Sequence, residues 1–312
     1  QDSDFDDVNE IMVTLTKEER NEIKANHKIY DTELAKNKKK YEQVDGKKNK
    51  EDAPGLCTDL RKRESKLKGA SKYAIVIINL CETNREQTFA PFSKKGKKEA
   101  ALYTPATIKK DADLLKAFIK DASNNFDDVW TRNNEFINDM DGKDRVVRML
   151  TEDNYERLRC VLVYYNHQHG NVIDDLDRTI TEEIKKKKIP ADALALLRLA
   201  RLVFIDALYG RPFLLALLLH EKLERLYWSA SEQWPKGQKT PNDKVNELSD
   251  AFNDASRLFI LHAPVQLWEI SKVYSDAIKK FKKSEVKLVD RLMEIKMVFE
   301  KKKKIDEAFV IS

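Results

Sequence analysis

The stretch YYNHQHGNVIDDLDR, residues 164 to 178, gathers the side chains best suited to chemistry: His167 and His169 stand just ahead of Asp174, Asp175 and Asp177. Imidazoles and carboxylates are metal ligands, and carboxylates one helical turn apart can hold magnesium against a diphosphate. Two positions apart on a helix point roughly 200° from each other, so the histidines converge only if Gly170 unwinds the backbone. Asp174 and Asp177 share a face, but Arg178 stands where a D-D-x-x-D pattern requires its third acid, and no second acidic motif opposes it. The plainer account is a helix, a glycine kink, and an acidic helix start running into TITEEIKKKK. Negative early and positive late, that segment complements the helix dipole.

A second imitation of a site is LLLHEKLER, residues 217 to 225, which begins like the H-E-x-x-H of zinc proteases. Glu224 occupies the place of the second histidine, so His220 is read as a helix residue at the edge of the apolar core. The chain carries no E-x-x-H pair, no G-x-S-x-G, no phosphate-cradling glycine loop and no catalytic-cysteine signature. On these grounds no catalytic residue, no metal and no cofactor is expected, and the protein is read as non-enzymatic.

Such residues need elements to position them, and the composition points to helices. Of 312 residues 36 % are charged and 41 % hydrophobic, with only 8 Gly and 8 Pro, which suits long solvated helices around a core better than strands and tight turns. The expected fold is all-α, a multi-helix, bundle-like body or two helical lobes. Residues 1 to 15 read as a flexible, frayed acidic lead-in, 16 to 142 as an N-terminal lobe, and 143 to 312 as a C-terminal lobe with apolar core helices in 190 to 234. Thr16 and Glu19 have capping-box spacing, and YAIVIINL lies on a helical seam with Cys57, Leu60, Leu67, Ala74, Ile78 and Cys81.

Thr104 and Pro105 open a helix carrying Ile108, Leu115, Ile119, Phe126, Trp130 and Ile137, closed by Gly142. Thr151 opens the next, which Gly170 kinks or splits. In residues 193 to 219, Arg198, Arg201, Asp206 and the breaker Gly210-Arg211-Pro212 interrupt the apolar run, so no membrane span is expected and two core helices meet at a sharp turn. Pro241 begins another helix. Pro264 begins a last long one through Leu267, Tyr274, Phe281, Leu288, Leu292 and Phe299, running out in the lysines at 301 to 304.

The net charge of +5, from 58 basic and 53 acidic residues, comes from lysine clusters, and nucleic acid is not an expected partner. Lys185, Lys186, Lys187 and Lys188, with Lys301, Lys302, Lys303 and Lys304, are the candidate polyanion-binding residues, and sulfated glycans the candidate ligand. At helix ends the same lysines offset the dipole and keep the protein soluble. Cys57, Cys81 and Cys160 allow one internal disulfide. An uninterrupted helix from 57 to 81 would part its two cysteines by about 36 Å, too far for a bond. The start at Gln1 fits a mature secreted chain and equally a trimmed fragment.

QDSDFDDVNEIMVTLTKEER and ALLRLARLVFIDALYGRPFLLALLLHEKLERLYW resemble the secreted salivary proteins of the 34 kDa family of culicine mosquitoes, a likeness running through nearly the whole chain. The resemblance implies a protein secreted in saliva during blood feeding. It would act without catalysis, through contacts with other proteins in the mouthparts or the vertebrate host. The alternative is a carrier of a small apolar or amine ligand between apolar helices such as those of 193 to 219. Polyanion binding is a lesser one.

Overall fold

The computed structural model describes residues 103–121, 145–186, 191–231, 241–261, 264–282 and 286–311, with single positions between 10 and 25 and at 76 and 80. Of these residues 94 % are helical and none is in a strand, so the fold is all-α as expected. The main helices are α1 (Pro105–Asp121), α2 (Arg145–Thr151), α3 (Tyr155–His169), α4 (Val172–Lys186), α5 (Ala191–Tyr209), α6 (Arg211–Ser231), α7 (Pro241–Leu261), α8 (Pro264–Lys282) and α9 (Leu288–Ile311). The chain divides into two compact units, Gln1–Leu208 and Tyr209–Ser312.

In unit 1, α1 packs against α2, α3 and α4, and α3 against α4. Thr104 starts α1, its Oγ1 accepting from the Thr107 amide at 3.3 Å, with Pro105 in the first turn where its missing N–H costs nothing. Ile108, Leu115, Phe118 and Ile119 form the buried stripe of this helix. The expected continuation through Phe126, Trp130 and Ile137 lies outside the described residues.

Thr151 does not open α3: it is the last residue of α2, and its hydroxyl donates to the Val147 carbonyl at 2.8 Å. The cap is Asn154, whose side chain accepts from the Arg157 amide at 2.8 Å. Asn in extended backbone satisfies a free amide of the first turn as well as Thr does, which hid the boundary in the sequence. Gly170 splits the helix as read, with φ +98° and ψ −177°, a conformation reserved almost entirely for glycine. Asn171 then caps α4, accepting from the Ile173 amide at 2.9 Å.

α5 is apolar on nearly every side, and from Ala195 to Ala207 every residue but Arg198, Arg201 and Asp206 is buried. Side-chain bonds fasten it within unit 1. Arg159 Nε donates to the Ala207 carbonyl at 2.7 Å, and Arg201 Nε meets Asp177 Oδ1 at 2.5 Å.

In unit 2, α6 is the central helix, packed against α7, α8 and α9. Leu214 to Leu219, Leu223 and Leu226 fill the core with Ala251, Ala255, Ile270, Ala277 and Ile278. Each buried leucine contributes roughly 1.5–3 kcal/mol. The turn ahead of α6 is the expected one: Gly210 has φ +88°, and its carbonyl accepts from the Phe213 and Leu214 amides. Tyr209, Phe213 and Phe281 cluster there, with ring centroids 5.0–5.8 Å apart.

The single long helix expected from Pro264 is two helices, α8 and α9. Both lie against α6, so the seven-residue spacing of apolar positions carries across the break and conceals it. Nor do the lysines at 301 to 304 end a helix: α9 continues to Ile311. Lysine is a good helix former, and a run of it stops nothing. The acidic lead-in also contains structure, since Glu10, Val13 and Thr14 are helical and Val13 and Thr14 are buried. In YAIVIINL the helical reading holds at Val76 and Leu80, one turn apart and both buried. No helix among the described residues is long and apolar enough to cross a membrane.

Candidate functional site

The chemically suggestive stretch lines a cleft. Where α1, α3 and α4 meet in unit 1, an opening of about 280 Å³ is bordered by Tyr165 and His169 of α3 and by Asp175, Arg178, Thr179 and Glu182 of α4. From α1 come Lys116, Ile119 and Lys120. The glycine break makes this possible, because it lets α3 and α4 present side chains to one space. The two histidines do not converge: His169 turns to α1, its Nε2 donating to Asp113 Oδ1 at 2.9 Å, while His167 is exposed. The His169 ring also stands edge-on to Tyr165, centroids 5.2 Å apart.

The three aspartates part company as well. Asp174 is exposed. Asp175 accepts from the Tyr165 hydroxyl at 2.8 Å through Oδ2 and pairs through Oδ1 with Arg178. Asp177 is the partner of Arg201. Burial, and then the bond and charge of Asp175, push the Tyr165 phenol well above its usual range, so it acts only as a neutral donor. Among the described residues no group of three or more His, Cys, Asp or Glu side chains is placed to hold a metal ion.

Also in unit 1, where α1, α2 and α3 meet, sits a buried charge cluster that sequence reading missed. Arg145 of α2 makes a fork to Asp111 of α1, Nε to Oδ1 at 3.1 Å and Nη2 to Oδ2 at 2.9 Å, and its Nη1 reaches Asp153 Oδ1 at 3.0 Å. Arg157 of α3 bonds to both carboxylates. Two guanidiniums and two carboxylates, none more than 9 % exposed, sum to zero charge. Burial works against the Arg145 charge, but Asp153 and Asp111 together outweigh it and hold the group more firmly protonated. Burial pushes the Asp111 carboxyl above its usual range against the pull of Arg145. One signal was available: Asp111 lies three residues after Ile108 and four before Leu115, a charge in the middle of an apolar stripe.

In unit 2 the false zinc motif resolves into a polar core contact. His220 is 5 % exposed and Tyr274 fully buried, and His220 Nδ1 stands 2.8 Å from the Tyr274 hydroxyl. His220 is thus inside the core rather than at its edge, because α8 brings a hydroxyl to meet it. Burial lowers its pKa, with Glu224 opposing and Lys282 and Arg291 assisting. Its Nε2 lies 3.7 Å from Glu224, which pairs with Arg291, and Arg291 stacks on Tyr227 at 4.7 Å.

The remaining sequence candidates lie partly within the described residues. Lys185 is exposed near the end of α4, and Lys186 closes that helix; Lys187 and Lys188 lie outside the described residues. Lys301, Lys302, Lys303 and Lys304 are within α9. Cys160 is an exposed free thiol, and Cys57 and Cys81 lie outside the described residues.

Comparison of the chain with family models, with curated proteins and with solved structures finds no match in any of the three.

Proposed function

We propose that this chain is a non-enzymatic protein that acts by binding other proteins; the salivary resemblance adds that it is secreted in saliva and meets its partner in the mouthparts or the vertebrate host during blood feeding. The observation that carries the binding role is the outer surface of unit 2. Trp228 is 63 % exposed, Trp268 58 % and Phe252 54 %, and Val289, Met293 and Met297 follow one another at four-residue steps along α9, each more than half exposed. Single exposed apolar residues are ordinary on any protein. Tryptophan and methionine are among the types enriched where proteins meet: tryptophan buries a large area for two fixed torsions, and the flexible thioether of methionine adapts to its partner. The Trp268 ring is already oriented, with Lys272 Nζ 3.2 Å above its centre, so less ordering remains when a partner covers it.

The test is affinity capture from salivary-gland and host-skin extracts, with the native chain and the W228S/W268S double variant as baits. A protein retained by the native chain and bound roughly 30-fold more weakly by the variant supports the proposal, a factor corresponding to about 2 kcal/mol for an interface anchor. Identical capture by both baits removes the tryptophans from the interface, and no retained protein removes the reading itself.

A further inference from the structure

We infer that the cleft between α1, α3 and α4 is a binding site for a small molecule that carries a compact anionic group, carboxylate, sulfate or phosphate, beside a ring or short apolar part. The role lies in the other unit from the proposed protein-binding surface and does not depend on it. Three cationic side chains, Lys116, Lys120 and Arg178, border the cleft against two carboxylates, Asp175 and Glu182. Their availability differs more than their number. Both oxygens of Asp175 are engaged, one by the Tyr165 hydroxyl and one by Arg178. At Asp175 a ligand ammonium group would therefore have to displace a guanidinium already in place.

An anion can use the donors that the Asp175 contact leaves over on Arg178. The Arg178 side chain is 67 % exposed, and a guanidinium has five N–H donors in a planar fork, more than the Asp175 contact consumes. Lys116 is half-buried on the opposing helix and borders the same space, with less freedom to lose than a fully solvated lysine. For the apolar part of the ligand the cleft offers a narrow strip, since Ile119 and Tyr165 border it but are only 3 % and 1 % exposed, held by the packing of α1 on α3. His169 cannot swing in as a second anchor without giving up Asp113, and so acts as a wall. A volume of about 280 Å³ is at the lower edge of ligand pockets, which restricts the occupant to a single substituted ring.

The experiment is titration calorimetry on the full chain with benzoate, phenyl sulfate and phenyl phosphate, with tryptamine as the cationic counterpart. Saturable one-to-one binding of at least one aryl anion is expected, with Kd no weaker than about 1 mM, and the preferred member identifies the head group. Lys116→Gln and Arg178→Gln are each expected to weaken it roughly tenfold, as loss of one charge-assisted hydrogen bond does. Lys116→Arg is expected to restore binding, which a merely structural effect of the glutamine variant would not allow. Binding of tryptamine alone, anion binding that ignores both glutamine variants, or no saturable binding by any of the four probes would overturn the inference.

Discussion

In unit 1 the buried polar centre is Asp111, Arg145, Asp153 and Arg157, four full charges that cancel; in unit 2 it is His220 and Tyr274, two groups that share one hydrogen bond. Both satisfy the rule that buried polar atoms find partners. They differ in what is left when a partner is taken away. The first leaves a bare charge in a medium that solvates it poorly, the second an unfilled hydrogen bond. The units also turn different faces outward: unit 1 opens a charged cleft and unit 2 carries exposed Trp228, Trp268, Met293 and Met297.

The comparison breaks most visibly at Arg157. Arg157→Ala is expected to lower the stability of unit 1 by about 3–5 kcal/mol, since Asp111 and Asp153 then share one guanidinium. Hydrogen exchange localises the loss: amides of α1 and α3 are expected to lose protection while those of α6 and α8 keep theirs. Replacing all four members by leucine and methionine is expected to cost nothing or to stabilise by ~1–4 kcal/mol, and a large loss there would show that the cluster specifies the packing itself.

Next in size are Tyr274→Phe and Gly170→Ala. The phenylalanine leaves His220 Nδ1 without its partner and is expected to cost about 1–3 kcal/mol in denaturant unfolding. Alanine at 170 meets no atom within 4 Å, so any cost is that of the backbone at φ +98°, about 1–3 kcal/mol. A neutral result at 170 would mean that the break between α3 and α4 tolerates another conformation.

A smaller effect separates the units by pH. The folded pKa of His220 is depressed by burial, so below the unfolded value near 6.5 the unfolded chain binds a proton that the folded chain refuses. Stability from this group is fully present above about pH 7 and is lost as pH falls toward the folded pKa, by up to about 1.4 kcal/mol per pH unit. His220→Gln is expected to flatten the slope between pH 7 and 5 for unit 2 and to leave unit 1 unchanged. Smallest of all, Met293→Gln with Met297→Gln is expected to change stability by no more than ~0.5 kcal/mol per site, as suits exposed positions. A larger loss would show that these methionines are covered within the chain rather than kept for a partner.

The sequence by itself determined the all-α fold and several of the helix ends. Apolar periodicity, Thr104-Pro105 ahead of α1, Gly170 between α3 and α4, and Gly210 ahead of α6 are local signals, because caps and positive φ depend on a few adjacent residues. The heptad seam from Leu267 to Phe299 misled for the same reason: periodicity reports which face meets the core, and two helices lying on α6 present that face as one helix would. What only the tertiary structure decided is which charges meet. Arg157 and Asp111 are 46 positions apart, and His220 and Tyr274 are 54 apart. Nothing in either local sequence names the partner. The stretch from Tyr164 to Arg178 shows both sides of this division. Its residue types marked it as a place for chemistry, but the charge balance of the cleft depends on Lys116 and Lys120, which α1 brings alongside from about 50 residues upstream.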